Sequence, residues 1–241
     1  MRFAVAGGTG WIGRLVVEEA GAAGHDTVVI ARSAGVDVIA GTGLDIALTG
    51  VEAVIDVTNR TRGAGPFFET ATRNLLAAET RTGVGHHVLL SIVGIDRLRL
   101  GYYRAKLRQE ELVQAGPVPW TILRATQFYE FAAQMLDQMA AGPFVLGPST
   151  LTQPVAAREV AQELVRLAAA GPQGRVPDIA GPAPLRMAAL VRAVARSRPR
   201  RRFVVPVPAG VGDRLLPRGA VREGKIRFDE WLRSPDGRRE R

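Results

Sequence analysis

The sequence Gly7-Gly8-Thr9-Gly10-Trp11-Ile12-Gly13 decides the fold, because it joins an apolar segment to an amphipathic one. Residues 2–6 are typical of a buried strand, and residues 11–24 carry apolar side chains at helical spacing. At such a turn, glycines allow the tight bend, let a pyrophosphate approach the backbone, and let the helix pack on the strand. We therefore predict a dinucleotide-binding loop whose binding residues are Gly7, Thr9, Gly10, Trp11, Ile12 and Gly13.

Strand-like and helix-like segments alternate through the first half of the chain. This alternation predicts an α/β fold with a doubly wound parallel sheet of the Rossmann type. The predicted strands after the first are 26–31, 51–57, 87–93 and 120–125, and the predicted helices after the first are 70–82, 102–115, 159–170 and 187–196. We expect one unit, 1–241, with a cofactor-binding core at about 1–126. Residues from about 127 to 241 would supply the substrate-cleft elements and a small C-terminal α/β lobe.

The end of the second predicted strand favours NADP(H) over NAD(H). NAD sites usually place an acid there to accept a hydrogen bond from the ribose 2′-hydroxyl. Here the chain reads Ala31-Arg32-Ser33, with no acid. Arg32 can pair with a 2′-phosphate and Ser33 can donate to it. An ordinary surface arginine at a strand end is the alternative.

Composition excludes several other classes of site. The chain has no cysteine and three histidines, which rules out disulfides and thiolate chemistry. His86 and His87 are neighbours on a predicted strand, so they face opposite ways and cannot share one metal ion. We expect no metal, and redox chemistry would come from an organic cofactor.

Localisation and partners follow from charge and hydropathy. No stretch reaches the roughly 18–20 apolar residues of a membrane span, and no secretory leader precedes the first strand, so we expect a cytoplasmic protein without a membrane partner. The net charge is +9, with a basic cluster at 196–202 and a smaller one at 238–241. Solvated arginines explain this better than nucleic acid, although a phosphorylated ligand or polyanion stays open. A monomer and a homodimer both stay open.

Four segments together resemble the atypical short-chain dehydrogenase/reductases, specifically the NmrA-like branch. They are the glycine loop 7–13, Ser91-Ile92-Val93-Gly94, the segment 102–106 (YYRAK) and the segment 123–128 (LRATQF). The resemblance implies a Rossmann domain, a small C-terminal lobe and a cleft between them. Members of the family range from NADPH-dependent reductases to proteins that bind the cofactor as a signal. One departure is that Leu44 stands where relatives carry an acid for the adenine; Leu44 then offers an apolar contact, and we do not assign Asp45.

Tyr102 and Lys106 have the spacing that short-chain dehydrogenases use, and they share one helix face. The lysine would lower the pKa of the phenol, so that Tyr102 donates a proton to a substrate carbonyl, and it would also contact the nicotinamide ribose. Ser91, at the end of the fourth strand, would orient the carbonyl. The alternative is that the spacing of Tyr102 and Lys106 arose by chance. Tyr103, one position along, competes with Tyr102 for the role of proton donor. The candidate catalytic residues are Tyr102, Lys106 and Ser91.

Other strand ends supply further candidates. We expect Thr58 and Asn59 to lie beside the adenosine ribose and phosphates. The alternative is that they form an ordinary polar turn. Ala125 and Thr126 would approach the nicotinamide amide. Gln127 and Phe128 would contact a small-molecule substrate, although the apolar stretch 128–144 is equally consistent with a helix packed on the core.

The sequence favours an NADPH-dependent oxidoreductase that transfers hydride to or from a small, mostly apolar carbonyl, quinone or enone. A non-catalytic NADP(H) sensor that acts through a protein partner is the first alternative. A biosynthetic enzyme that catalyses a redox-neutral step on the same fold is the second.

Overall fold

The computed structural model describes residues 1–98, 100–199, 202–208, 210 and 212–238. Arg200 and Arg201 of the basic cluster, and residues 239–241 of the tail, lie outside the described residues. The chain divides into two compact units. The first is Met1–Arg124 with Val160–Val176, and the second is Ala125–Glu159 with Pro177–Arg241.

The elements alternate through the first half of the chain, as the sequence predicts. The strands are β1 (Arg2–Ala6), β2 (Asp26–Ile30), β3 (Ala53–Asp56), β4 (His86–Ile92), β5 (Trp120–Ala125), β6 (Ala140–Ala141), β7 (Phe144–Pro148), β8 (Leu151–Thr152), β9 (Gly174–Arg175), β10 (Asp178–Ala180), β11 (Leu185–Arg186), β12 (Phe203–Val207) and β13 (Val221–Glu223). The helices are α1 (Trp11–Ala22), α2 (Leu44–Leu48), α3 (Ala64–Thr82), α4 (Gly101–Ala115), α5 (Tyr129–Gln138), α6 (Ala157–Ala170), α7 (Met187–Ser197), α8 (Phe228–Arg233) and α9 (Pro235–Arg238).

A central sheet organises the first unit, with strand order β5-β4-β3-β1-β2. The pairs β1–β2, β1–β3 and β3–β4 are parallel, and so is the pairing of the short β9 with β5. The central strands β1 and β3 are mostly apolar and buried, as expected for strands that helices cover on both faces. The Rossmann-type, mostly parallel sheet with flanking helices is confirmed.

The two adjacent histidines of β4 show the two faces directly. His87 is fully buried and bonds to Glu79 of α3, whereas His86 bonds to Thr121 of β5 and lies against the backbone of Ala168 in α6. Their rings therefore point to opposite sides of the sheet. The described residues contain no group of three or more acidic or histidine side chains placed to hold a metal ion.

Helix α3 begins earlier than the sequence predicts, at Ala64 rather than Thr70. The segment Gly63-Ala64-Gly65-Pro66 is typical of a loop by composition. Proline is tolerated in the first helical turn, however, because the amide it lacks would have no acceptor within the helix. Gly63 takes a left-handed φ of 65° just before the helix.

The second unit has its own apolar core, in which α5 and α7 pack together with β7 and α8. Its buried residues include Tyr129, Leu136, Val145, Val191 and Trp231. Parallel β7 and β12, with β6 antiparallel to β7, make a small sheet, and β8 pairs antiparallel with β11. The strand β10 pairs with β13, and its Ile179 pairs with Ala125. The stretch 128–144 is mixed: Tyr129 and Met135 lie in the core, whereas Phe131 and Phe144 are exposed.

A membrane span would require a long and strongly apolar helix. No helix formed by the described part of the chain meets both requirements.

Candidate functional site

The glycine loop is shaped by two close approaches of the backbone. Gly7 has a left-handed φ of 81°, and its amide donates to Ile30 O at 3.0 Å. A Cβ at Gly13 would lie 2.2 Å from Gly7 O and 2.7 Å from the Cα of Gly8. A side chain at Gly13 would therefore push the helix away from the loop, which is the packing reason for a glycine at this position.

The start of α1 is suited to an anion. The first helical bond runs from Arg14 N to Gly10 O at 3.0 Å, and no described side chain caps this end. No acidic residue stands in the first turn either. First-turn amides have no acceptor within a helix, and together with the helix dipole they favour a bound phosphate.

Arg32 and Ser33 lie in a short 3-10 turn directly after β2. Both residues are exposed, and no ion pair of Arg32 is found in the part of the chain that the structure describes. The guanidinium is therefore accessible to a ligand at the strand end where a dinucleotide places its adenosine ribose.

The expected contact of Leu44 with adenine is wrong. Leu44 is fully buried and packs in the core with Ala4, Ile30 and Leu75, so no face of it is left for a ligand. Asp45 turns outward and pairs with Arg81 at 2.7 Å. This pairing lowers the pKa of Asp45, chiefly through the hydrogen bond from Arg81.

Thr58 and Asn59 follow β3 and adjoin the glycine loop. A Cβ at Gly7 would lie 3.2 Å from both N and Cα of Thr58. The Thr58 hydroxyl is buried without a hydrogen-bond partner among the described residues. Asn59 is exposed, and its Oδ1 accepts a hydrogen bond from the Tyr102 hydroxyl at 2.8 Å. The loop therefore lies beside Thr58, and Asn59 links that strand end to Tyr102.

Tyr102 is partly buried between aromatic neighbours, with its ring 6.2 Å from that of Phe68 and 5.5 Å from that of Tyr103. Burial, and then Tyr103, raise the pKa of Tyr102 to about 12, while the hydrogen bond to Asn59 opposes the rise. The expected lowering of this pKa by Lys106 is therefore wrong. The phenol is a neutral proton carrier near pH 7.

Lys106 has other partners. Its Nζ donates to Leu90 O at 2.9 Å and to Gln109 Oε1 at 2.6 Å, and it lies 4.9 Å from the centroid of the Phe68 ring. Burial lowers the pKa of Lys106 to about 8, against the charges of Asp56 and Glu110. The ammonium group thus lies beside the end of β4.

Ser91 belongs to the same strand end as Leu90. Its side chain is buried, and its hydroxyl has no hydrogen-bond partner within the described residues. A buried hydroxyl without a partner is costly, and a bound ligand would supply the missing bond.

Sequence reasoning missed a set of buried polar residues near Lys106. Gln109 donates to Asp56 Oδ2 at 2.9 Å, and Glu79 accepts from His87 Nδ1 at 2.8 Å. The available signals were an acid at the end of an apolar strand, Asp56, and the helical spacing of Lys106 and Gln109.

The remaining candidates lie in the second unit. Ala125 and Thr126 are buried, and the Thr126 hydroxyl donates to Gln153 O at 2.6 Å. Gln127 accepts a hydrogen bond from the Thr152 hydroxyl, and Phe128 is half-buried at the start of α5. The backbone of Thr126 is held by Ile179 O at 3.0 Å.

The residues of the first unit fit a dinucleotide. The uncapped helix start suits the pyrophosphate, accessible Arg32 suits a phosphate on the ribose, and the unpartnered hydroxyls of Thr58 and Ser91 suit polar groups of the ligand. These features lie at the carboxyl ends of β1 to β4, where ligands of open parallel sheets bind.

A curated reductase is similar to this chain in sequence. The chain is 28% identical over 196 residues to the chloroplastic divinyl chlorophyllide a 8-vinyl-reductase of Cucumis sativus, across 65% of this chain and 47% of that protein. The chain therefore spans about half the length of this curated relative.

Solved structures show the same fold at low identity. An NADPH-dependent quinone oxidoreductase from Escherichia coli, solved with NADPH, aligns with a TM-score of 0.69 at 19% identity over 86% of this chain and 78% of that one. A UDP-glucose 4-epimerase from Thermus thermophilus, solved with NAD, aligns with a TM-score of 0.70 at 20% identity over 90% of this chain and 89% of that one.

The family model described as NAD(P)H-binding matches residues 7–170, which is more than half of the chain and begins at the glycine loop. The resemblance to the atypical short-chain, NmrA-like proteins is thereby confirmed. The chain belongs to the NAD(P)H-binding family and has an oxidoreductase-type fold.

Proposed function

We propose that the chain is an NADP(H)-dependent oxidoreductase of the atypical short-chain type. It would transfer hydride to or from a small, mostly apolar carbonyl, quinone or enone. The observation that carries the cofactor choice is the accessible Arg32-Ser33 pair at the end of β2, where NAD sites usually place an acid. A planar guanidinium pairs with a phosphate through two parallel hydrogen bonds, and a serine hydroxyl adds a third.

Residues of the glycine loop and of the strand ends would each bind a different part of the cofactor. Gly7, Thr9, Gly10, Trp11, Ile12 and Gly13 would hold the pyrophosphate, and Thr58 and Asn59 would contact the adenosine ribose and phosphates. Lys106 would contact the nicotinamide ribose, with Ala125 and Thr126 near the carboxamide. When bound, the nicotinamide supplies or accepts the hydride.

Tyr102 and Ser91 would act on the substrate oxygen. The Tyr102 hydrogen now donated to Asn59 is available to an acceptor that displaces this contact, and a pKa near 12 keeps the phenol protonated near pH 7. The buried Ser91 hydroxyl would complete its hydrogen bonding by donating to the same oxygen. Gln127 and Phe128 would border the substrate.

The proposed substrate class is supported by the names of two of the similar proteins. One acts on quinones and the other is named for reducing a vinyl group. Quinones and conjugated alkenes accept hydride at carbon and leave negative charge on oxygen or in a conjugated system. A neutral phenol close by can protonate such a site.

A non-catalytic NADP(H) sensor is the second candidate. It is favoured by the engagement of Lys106 with Leu90 and Gln109, and by the raised pKa of Tyr102, which makes the phenol a weaker acid. A redox-neutral enzyme is the third, and the likeness to an epimerase fold is its support.

The test is NADPH oxidation by the purified chain, followed by absorbance of the reduced nicotinamide with 1,4-naphthoquinone, cyclohex-2-enone and benzaldehyde as acceptors. Oxidation above the rate without protein is expected with the accepted compound, and deuterium should pass from NADPH deuterated at C4 to carbon in the enone or aldehyde product; a hydroquinone would lose the label to water. Tight NADPH binding with no oxidation of any acceptor favours the sensor. Product formation without deuterium transfer and without net NADPH loss favours the redox-neutral enzyme.

A further inference from the structure

Four buried ionisable side chains form a row between the sheet and helices α3 and α4. They are Glu79, His87, Asp56 and Lys106, and none of them exposes more than 4% of its surface. His87 Nε2 lies 3.9 Å from Asp56 Oδ2, and His87 Nδ1 bonds to Glu79. Burial lowers the pKa of His87, but Glu79 and Asp56 raise it above its usual value. With His87 protonated, two carboxylates balance two cations.

Gln109 connects Asp56 to Lys106, and its orientation is determined at both ends. A carboxylate only accepts and an ammonium group only donates. The amide nitrogen of Gln109 must therefore face Asp56 Oδ2, at 2.9 Å, and its oxygen must face Lys106 Nζ, at 2.6 Å. Asp56 itself is fixed by the Thr58 amide, which donates to Oδ1 at 2.8 Å.

A buried row of charges is a costly way to stabilise a fold. Moving charges out of water costs several kcal/mol per ion, and well-packed apolar residues often serve the fold equally well. Lys106 stands at one end of the row, and its Nζ lies 4.9 Å from the centroid of the Phe68 ring. A ring face attracts the charged form of lysine.

We propose that Asp56 and Gln109 are positioning residues that keep the Lys106 ammonium group charged and fixed beside the end of β4, ready to contact the cofactor. Asp56 would act through the dipole of the Gln109 amide, without touching the ligand. This inference rests on the role given to Lys106 in the proposed function. The charged groups around Lys106 are Asp56 on β3, Glu110 on α4 and His87 on β4.

The chain allows a direct measurement, because its only lysines are Lys106 and Lys225. Lysine labelled with carbon-13 at Cε gives two signals in the intact chain, and Lys225→Arg assigns them. We expect the Lys106 signal to titrate well below the usual range of lysine. Asp56→Asn and Gln109→Leu should each lower this pKa by about one unit, since each removes an interaction that favours the ammonium. Gln109→Glu should raise it.

The two Gln109 variants should shift the Lys106 pKa in opposite directions. Misfolding would not produce such opposite shifts, so the pair of variants controls for it. Thr72→Val is the matched control, since Thr72 is buried on α3 with no hydrogen-bond partner for its hydroxyl among the described residues. It should leave the Lys106 titration unchanged. An unchanged pKa in both Asp56→Asn and Gln109→Leu overturns the proposal.

The consequence for the cofactor is measured by NADPH fluorescence titration of the same proteins. Asp56→Asn and Gln109→Leu should weaken NADPH binding about tenfold, because a neutral or displaced Lys106 loses a hydrogen bond from a charged group to the ribose. If Lys106→Met weakens binding but these two variants do not, the positioning role is wrong. If Lys106→Met leaves binding and turnover unchanged, the role of Lys106 in the proposed function fails, and the titration still decides whether Asp56 and Gln109 control its charge.

Discussion

Tyr102 and Lys106 stand one turn apart on α4, yet their polar atoms have different partners. The Tyr102 hydroxyl donates to Asn59 Oδ1 at 2.8 Å, and the Lys106 ammonium donates to Leu90 O at 2.9 Å. Helical spacing therefore brings the two residues to one face without joining them chemically. Tyr102 keeps its proton, and Lys106 belongs to a buried row of charges.

Replacing Tyr102 by phenylalanine tests the phenol as proton donor. We expect turnover of the best quinone or enone acceptor to fall about a hundredfold or more, because general acid catalysis contributes on this scale. NADPH affinity should change little. Tyr103→Phe is the matched control on the neighbouring position and should retain turnover. Equal losses in the two variants would show that the aromatic packing, rather than the Tyr102 hydroxyl, matters.

Gly13→Ala tests the close approach of α1 to the loop. The new Cβ would lie 2.2 Å from Gly7 O, so the helix start must shift. We expect a loss of about 3 kcal/mol in the free energy of unfolding and a loss of NADPH binding. Gly21→Ala, on the same helix with nothing within 4 Å of its Cβ, should stabilise by about 0.5–1 kcal/mol. Urea denaturation measures both, and similar effects in the two variants would contradict the packing role.

Breaking the buried ion pair of Glu110 with Arg124 should destabilise the fold far more than breaking an exposed pair. Arg124 Nη2 lies 2.6 Å from Glu110 Oε2, and both side chains are nearly inaccessible. Glu110→Gln leaves the buried Arg124 guanidinium with only the exposed carboxylate of Asp96, at 3.3 Å, as a charge partner, and we expect a loss of about 3 kcal/mol. Glu69→Gln breaks the exposed pair with Arg73 on α3 and should cost less than about 1 kcal/mol. Thermal or urea unfolding compares them, and equal losses would refute this ranking.

Because the pKa of Glu130 is raised in the folded chain, we expect the free energy of unfolding to fall as pH rises. Burial raises the pKa of Glu130 to about 7, although the Trp231 indole donates to its Oε1 at 3.0 Å. The folded state therefore holds the proton more tightly than the unfolded state, in which the pKa is about 4.5. This stabilisation is complete below about pH 4.5 and is lost as pH rises to about 7, a change of about 3 kcal/mol. Unfolding free energies at about pH 5 and about pH 8 measure it.

Glu130→Gln is the control for that titration, because the amide keeps an acceptor for Trp231 and cannot ionise. The variant should gain stability relative to the native chain as pH rises across that range. A constant difference between the two proteins at both pH values would contradict the raised pKa.

The sequence was informative wherever a local pattern determines structure. The glycine loop and the strands at its sides follow from periodicity and turn chemistry, and the family segments agree with them. The start of α3 was missed because Gly63 and Pro66 are typical of loops, and Leu44 was misplaced because a single apolar residue does not show which side it buries.

Side-chain partners from different elements were beyond reach of the sequence. Gln109 bridges Lys106 and Asp56 only because the fold brings α4 close to the end of β3. The rise in the pKa of Tyr102 depends on how deeply its ring lies among aromatic neighbours. Such pairings require tertiary geometry, which spacing along one helix does not contain.

Arg32 offers the most direct test of the account, through the dissociation constants of NADPH and NADH for the native chain and for Arg32→Ala. Losing a charge-assisted contact with the 2′-phosphate costs about 2 kcal/mol, so we expect NADPH affinity to fall about 30-fold and NADH affinity to change little. Arg73→Ala, on the exposed face of α3, should leave both affinities unchanged. Tighter binding of NADPH in the native chain, lost on removal of Arg32, is the predicted result. Equal affinity for the two cofactors, or a preference that survives Arg32→Ala, would contradict it.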